Sequence, residues 1–364
     1  MQGSARNLYG LDEPGLADLV SDLGAKPYAA GQLSRWLYRR GARSFAEMTD
    51  VAASLRESLG RAFTIERPRI ASRFPSLDGT VRYLLELPAG GRVEAVAILD
   101  RGRTTFCISS QVGCALGCSF CMTGTLGLVR HLSSGDIVGQ VWELMQDRGL
   151  APNHFNLVFM GMGEPLHNYE HVTAALRVLT SSEAFAIGAK RITVSTAGMA
   201  PEIERLAREA VRPRLAVSLS ATTDETRSRL IPINRRYPIA RLREACRVWL
   251  SETGEKVFLE YVMLAGENDT PEDAARLVRL ARGIAERINL IPFNETPLLP
   301  HRATPFAAVM RFREEIARHG IRASVRRSRG RDVGGACGML ALGSTGAGLR
   351  TYAAETERSA GRMP

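Results

Sequence analysis

The run Cys114-Ala-Leu-Gly-Cys118-Ser-Phe-Cys121 places three thiols at spacings of three and two intervening residues. Three thiolates this close can wrap one corner of a metal cluster, but no fourth Cys or His stands near enough to close a tetrahedron. A structural zinc site closes its coordination sphere, whereas a reactive metal keeps one position open. Iron–sulfur clusters are held by thiolates at comparable spacings. The pattern therefore predicts a cluster with one open corner, and chemistry at that corner.

The composition fits a cytosolic enzyme with a polyanionic partner. A chain of 364 residues with 45% hydrophobic content can bury a sizeable core and form about two domains. No apolar run is long enough for a membrane span, and Met1-Gln2-Gly3-Ser4-Ala5-Arg6 lacks the apolar core of a signal peptide, so a cytoplasmic location is expected. Six cysteines in a chain of this length are not a disulfide framework. The formal charge of +10 points to nucleic acid, which gives up counterions to a basic surface. Only Lys26, Lys190 and Lys256 are lysines, so the surplus is carried by arginine. Arg322, Arg326, Arg327, Arg329 and Arg331 crowd the stretch before Cys337, where guanidinium forks suit phosphate oxygens, although solvated charge is the ordinary role of such a run.

Hydrophobic periodicity divides the chain into four parts. Residues 1–62 read as a small helical unit, with Leu16, Leu19, Val20 and Leu23 on one face, then Gln32 to Tyr38 and Val51 to Leu59. Its segment Arg35-Trp36-Leu37-Tyr38-Arg39-Arg40 interleaves aromatic and basic groups, suited either to stacked bases or to the unit's own core. Residues 63–100 form a β extension, with strands near 81–87 and 93–98. Residues 101–337 alternate strands near 105–110, 155–160, 191–195, 214–219, 256–264 and 287–292 with helices near 136–147, 171–180, 239–250, 271–284 and 305–318. Residues 338–364 are a tail. The alternation predicts an α/β fold of parallel strands with right-handed crossovers, six units against the eight of a closed barrel. Sites in such folds form at the C-terminal strand ends, where the cysteine run, Gly163, Glu164, Ser195, Ser218, Ser220 and Asn294 all fall.

Two flanking stretches narrow the reading. Cys107-Ile-Ser-Ser-Gln-Val-Gly-Cys114 precedes the cluster motif and Gly161-Met162-Gly163-Glu164-Pro165 follows it, and together they resemble the RlmN family of radical S-adenosylmethionine (SAM) adenine C2 RNA methyltransferases. The resemblance implies a partial (βα)6 barrel of the radical SAM type with an N-terminal helical RNA-binding domain. It implies a [4Fe-4S] cluster on Cys114, Cys118 and Cys121, with SAM, two per turnover, chelated at the open iron. Gly163 and Glu164 take the SAM amino group, and Ser195, Ser218, Leu219, Ser220 and Asn294 bind the rest. Cys337 carries the methyl group as S-methylcysteine, Cys107 resolves the covalent RNA adduct through a transient disulfide with Cys337, and Glu94 is the proton acceptor. The implied partners are 23S ribosomal RNA, at the peptidyl-transferase centre, tRNA, and an external flavodoxin-like electron donor. Adenine C2 is too poor a nucleophile to take a methyl group by displacement, which is why radical chemistry is needed.

The residues also have plainer readings. Strand-end serines often cap the next helix, a glutamate in a strand pattern often faces solvent, and Cys246 reads as an inert buried thiol. His167 and His171 lack the setting of a metal pair. Cys337, in Asp332-Val333-Gly334-Gly335-Ala336-Cys337-Gly338, is flanked by glycines and predicts a mobile loop. Ser220, His131, Gly334-Gly335 and Met339 depart from the family pattern. The alternatives are a Cfr-type enzyme that methylates adenine C8 and a non-catalytic iron–sulfur RNA-binding protein.

Overall fold

The computed structural model describes residues 6–341, so residues 1–5 and most of the tail expected at 338–364 lie outside the described residues. At its centre is a ten-stranded sheet whose spatial order is the chain order. The strands are β1 (Arg69–Pro75), β2 (Val81–Glu86), β3 (Arg92–Asp100), β4 (Arg103–Cys107), β5 (Phe155–Phe159), β6 (Ile192–Thr196), β7 (Arg214–Ser218), β8 (Val257–Met263), β9 (Ala285–Pro292) and β10 (Ala323–Val325). From β1 to β4 neighbours are antiparallel, and from β4 to β10 they are parallel. β1 and β10 are free edges, so the barrel is open.

Each of the strands β4 to β9 is followed by helix. α4 (Ser134–Arg148), α5 (Tyr169–Thr180), α6 (Ala200–Ala207), α7 (Asp224–Leu230) with α8 (Ile239–Thr253), α9 (Pro271–Ala281) and α10 (Phe306–Arg318) complete the six predicted units. Local chemistry sets their limits. Ser133 with Asp136 and Thr270 with Asp273 form reciprocal caps that satisfy the first N–H groups of α4 and α9, while Gly149 and Gly254 end α4 and α8 in the left-handed region. The short α6 and α7 were not anticipated, because eight and seven residues give too few turns for a clear period. Among the described residues no helix is long and apolar enough to cross a membrane.

The β extension is not a separate unit. β3 pairs with β4 through Val96 and Cys107, which makes the 63–100 strands part of the central sheet. The N-terminal helices α1 (Glu13–Asp22), α2 (Tyr28–Ser34) and α3 (Ala53–Ala62) share one hydrophobic cluster with the sheet, through residues such as Leu16, Leu33 and Leu37. Leu23, expected on the buried face, is 37% exposed because it caps α1 where the chain turns away. The basic residues of segment 35–40 contact protein: Arg35 pairs with Glu183 at 2.5 Å, Arg39 donates to the Ser182 and Ala184 carbonyls, and Arg40 stacks on the Trp36 ring at 4.2 Å.

Docking of the helical unit depends on two glycines. A Cβ on Gly10 would lie 2.1 Å from the Gly135 nitrogen, and a Cβ on Gly135 would lie 2.1 Å from the Tyr9 carbonyl oxygen. Ser134 donates to the Gly10 carbonyl at 2.8 Å and Arg177 pairs with Asp12 at 2.6 Å across the same seam. Backbone at this separation cannot yield as a side-chain tip can. Gly135→Ala is therefore expected to destabilise the protein by about 1–3 kcal/mol, the usual range for overpacking. Denaturant unfolding measures that loss, and limited proteolysis should cut between residues 60 and 68 sooner than in the wild type.

Candidate active site

The loop after β4 carries the three clustered cysteines. It is tied at its base by a ribbon of Gln111–Gly113 against Leu128–His131, where the Cys114 N–H donates to the Gly127 carbonyl at 2.7 Å. Gly113 is obligatory there: its φ is +75°, and a Cβ would lie 1.9 Å from the Gly127 oxygen. Further along, the Ser119 N–H donates to the Leu230 carbonyl and Cys121 N–H to Cys118. This folding turns Cys114, Cys118 and Cys121 into one cavity of about 170 Å³, which also reaches Glu164, Ser195, Ser218, Asn294 and Cys337.

The cavity tests the implied cofactors. Burial pushes the Cys114 thiol up to about 12 and Cys118 well above the ordinary thiol range, and their neighbours Cys121 and, for Cys118, Cys114 add to it. Such a set ionises together only when a cation compensates it, and a metal deprotonates a coordinating thiol outright. Among the described residues no three His, Cys, Asp or Glu side chains converge to hold a single metal ion. A four-iron cluster takes each thiolate on a different iron, so its ligands need not converge on one point. The donor set fits the cluster.

Glu164 is the acid of the cavity. It is buried, its Oε1 accepts from the Leu166 N–H at 3.1 Å and its Oε2 from the Ala197 N–H at 2.7 Å. Burial nevertheless lifts its pKa to about 7. Each oxygen keeps a lone pair for an ammonium group. Gly161 and Gly163 line the same cavity and are also required by packing. A Cβ on Gly161 would lie 2.7 Å from the Ile108 backbone and one on Gly163 2.5 Å from the Gln111 side chain, so they let this strand end pack on the segment after β4.

The remaining candidates divide. Ser195 and Ser218 line the cavity at the ends of β6 and β7. Leu219 and Ser220 do not. Leu219 is buried with its carbonyl bound to Arg227, and Ser220, fully buried at φ +48°, accepts from the Val262 N–H at 3.2 Å. Asn294 lines the cavity and donates through Nδ2 to the Cys337 carbonyl at 3.0 Å. Glu94 is 1% exposed, paired with Arg82, and lines neither this cavity nor the next. His167 meets His131 edge to face at 5.0 Å, and both approach Gln111 Nε2, so the pairing is not with His171.

The Cys337 loop is fixed in this conformation rather than loose. The Gly330 N–H donates to Asp78 at 2.9 Å, Arg82 Nε to the Val333 carbonyl at 2.5 Å, and Ser76 to Asp332 at 2.6 Å. On the other side the Met122 N–H donates to the Gly338 carbonyl and Thr123 Oγ1 to Leu340. Cys337 therefore stands on the wall shared by two cavities. One holds the three clustered thiols; the other, of about 770 Å³, holds Cys107. Cys337 keeps accessible surface and lines both recesses, and the surrounding protein raises its thiol pKa by desolvation. Cys107 is also raised, by burial first and then by Cys337. All six cysteines are free, so no disulfide joins these two here.

Two residues of the site escaped the sequence reading. Arg227, with no exposed surface, donates to the carbonyls of Ala197 at 2.6 Å, Ser218 at 3.1 Å and Leu219 at 3.1 Å, and to Asn234 Oδ1 at 2.9 Å. Burial lowers its pKa to about 10, so it stays a cation beside Cys118. Glu260 lines the cluster cavity, with Oε1 held by Asn289 at 2.9 Å and Arg326 at 3.2 Å and Oε2 buried without a partner. Nothing in local sequence separates these from other charged residues.

Comparison with known proteins agrees with this geometry. Residues 108–278 match the Radical SAM superfamily, and residues 6–65 match the ribosomal RNA large subunit methyltransferase N-terminal domain. The dual-specificity RNA methyltransferase RlmN of Anaeromyxobacter dehalogenans is 47% identical over 345 residues, spanning 92% of this chain and 91% of its own. The probable dual-specificity RNA methyltransferase RlmN of Thermus thermophilus is 44% identical over 331 residues, 91% of this chain and 93% of its own. The crystal structure of a radical SAM methyltransferase from Sphaerobacter thermophilus superposes with a TM-score of 0.84 at 41% identity, over 92% of this chain and 99% of that one. The chain belongs to the RlmN family of radical SAM methyltransferases.

Proposed function

We propose that this protein methylates C2 of an adenosine in 23S ribosomal RNA, at the peptidyl-transferase centre, and of an adenosine in tRNA, with Cys337 as carrier of the methyl carbon. The observation that carries the reading is the position of Cys337, between the cluster thiols in one cavity and Cys107 in the other. The relatives named RNA methyltransferases and the surplus positive charge support an RNA substrate.

When bound, a [4Fe-4S] cluster on Cys114, Cys118 and Cys121, with SAM and an external one-electron donor, supplies the methyl carbon and the radical chemistry that an unreactive C2–H bond requires. The protein's own groups do the rest. Glu164 receives the ammonium end of SAM, with Ser195 and Ser218 along the same wall. Asn294 fixes the Cys337 backbone, so that the sulfur bearing the carbon meets the base in one orientation. Once that carbon is bonded to the base, the Cys107 thiolate attacks Cys337 Sγ. An S–S bond forms, the S–C bond breaks, and its electron pair stays with the carbon, which takes a proton as the methylated base leaves. Glu94, ion-paired with Arg82 and through it tied to Val333 and the Cys337 loop, is the acceptor of the C2 proton that the incoming carbon displaces.

Cluster-loaded protein, SAM, a reductant and protein-free 23S RNA or tRNA should yield 2-methyladenosine by nucleoside mass spectrometry. No methylated adenosine, or the 8-methyl isomer, would overturn the assignment. Cys107→Ala should still bond to RNA but not release it, giving a protein–RNA adduct that denaturing gels resolve; Cys337→Ala should give neither adduct nor product. Because burial holds Glu164 at about 7, its carboxylate is neutralised as the pH falls below that value. SAM affinity should therefore drop on the order of tenfold per pH unit below about 7, and Glu164→Gln should bind weakly with a flat profile, both measurable by equilibrium binding.

A further inference from the structure

The second cavity runs through the middle of the strand fan, away from the cluster. On its walls Thr105, Asn156 and Thr193 stand among apolar residues such as Ile98, Val158 and Ile291, whereas branched apolar residues alone fill the interior of a closed barrel. The lumen is consequently unfilled and of mixed polarity, with a volume of about 770 Å³. At one end lie Cys107 and Cys337; Cys107 reaches this cavity and not the cluster cavity. The other end lies at the N-terminal ends of the parallel strands, roughly 13 Å away along the five residues of β4 at about 3.3 Å per residue.

That far end is ringed with positive charge. There Lys190 and Arg329 are matched by Glu255 and Asp100, while Arg326 stands at the thiol end, paired with Glu260. Arg101, Arg191, Arg214, Arg287 and Arg327 also line the cavity, and among the described residues no carboxylate lies within ion-pairing distance of any of them. Uncompensated guanidinium groups at the mouth of a low-dielectric recess focus the field and raise the local concentration of small anions. A volume of this size suits a molecule of a few hundred daltons, not a folded partner.

We propose that this lumen is the inlet for a low-molecular-weight anionic thiol, drawn in by its arginines to reduce the Cys107–Cys337 disulfide left after each methyl transfer. The proposal rests on the reading of Cys107 and Cys337 as a redox pair. The incoming thiolate attacks Cys107 Sγ; a mixed disulfide forms, the bond to Cys337 breaks, and Cys337 leaves as thiolate and takes the proton that the thiol gave up. A second thiolate attacks the outer sulfur of the mixed disulfide. The reductant departs as its symmetrical disulfide, Cys107 is freed and protonated, and two electrons have passed to the protein. Arg326, close enough to favour the ionised form of both Cys107 and Cys337, stands where the leaving thiolate needs a cation. Reductant and SAM then come to Cys337 from opposite sides, and neither has to leave for the other to enter.

The test begins with oxidised full-length protein in which peptide mapping has located the Cys107–Cys337 disulfide. Its reduction is timed with glutathione, which is anionic, and with 2-mercaptoethanol, which is neutral, each rate being divided by that thiol's rate on an unfolded peptide disulfide. At low ionic strength the anionic thiol should lead by roughly tenfold or more, the scale of electrostatic focusing. That lead should fall toward one in Arg214→Gln/Arg287→Gln and persist in Arg214→Lys/Arg287→Lys. Equal normalised rates in the wild type, or a lead untouched by the glutamine pair, would overturn the inlet. If oxidation never joins Cys107 to Cys337, the redox-pair reading fails instead, and the inlet is judged on reduced protein by mass-spectrometric alkylation of Cys107 with iodoacetate against iodoacetamide, where the same charge preference and the same variants decide.

Discussion

The Cys337 carbonyl accepts a hydrogen bond from Asn294, and the segment around it is held on one side by the β1–β2 turn and on the other by the cysteine loop. Without those contacts the thiol at 337 has no fixed relation to the thiols at 114, 118 and 121, and two cavities become one open cleft. A net hydrogen bond contributes only about 0.5–1.5 kcal/mol. Several acting on one short segment, some to charged groups such as Asp78 and Arg82, can still fix a single conformation. Gly334 and Gly338, at φ +67° and +81°, supply the turns this path requires.

The buried charges serve the same end. Arg227 collects three carbonyls from two strand ends, so the walls presented by β6 and β7 keep their spacing without a ligand. Glu94 and Arg82 do the same between the antiparallel strands and the Cys337 loop. A buried ion pair is weak evidence for stability. Here each lies beside a wall of the site, where it restricts geometry more than it lowers free energy.

The strands and the cluster loop were legible in the sequence because their signals are local. Cysteine spacing survives any tertiary arrangement, and apolar runs broken by helical periods mark a parallel sheet wherever they occur. What escaped depends on register between distant segments. Arg227 resembles its neighbour Arg229 in sequence, yet one is fully buried and the other pairs with Glu267 at the surface. The glycines at 161 and 163 were visible, but their packing role was not, since the segment they clear lies some fifty residues earlier. Ser220 lay at the right strand end and turned inward, which only its positive φ reveals. The arginines before Cys337 read as one run, for phosphate or for solvent; the fold gives Arg326 and Arg329 carboxylate partners and turns Arg327 to the lumen.

Since the sheet is laid down in chain order, every strand from β2 to β10 can join a neighbour that has already emerged during synthesis. The exception is the closure of the segment near 332 onto the turn near 76, a separation of 256 residues. Long-range closures of this kind come late, because chain entropy must be spent before contacts repay it. The three cluster cysteines are therefore translated, and their walls assembled, before the last loop arrives to cover them. The topology leaves a maturation window in which iron and sulfide can be delivered to an uncovered pocket, and it shuts that window by the same event that brings Cys337 to the cavity wall.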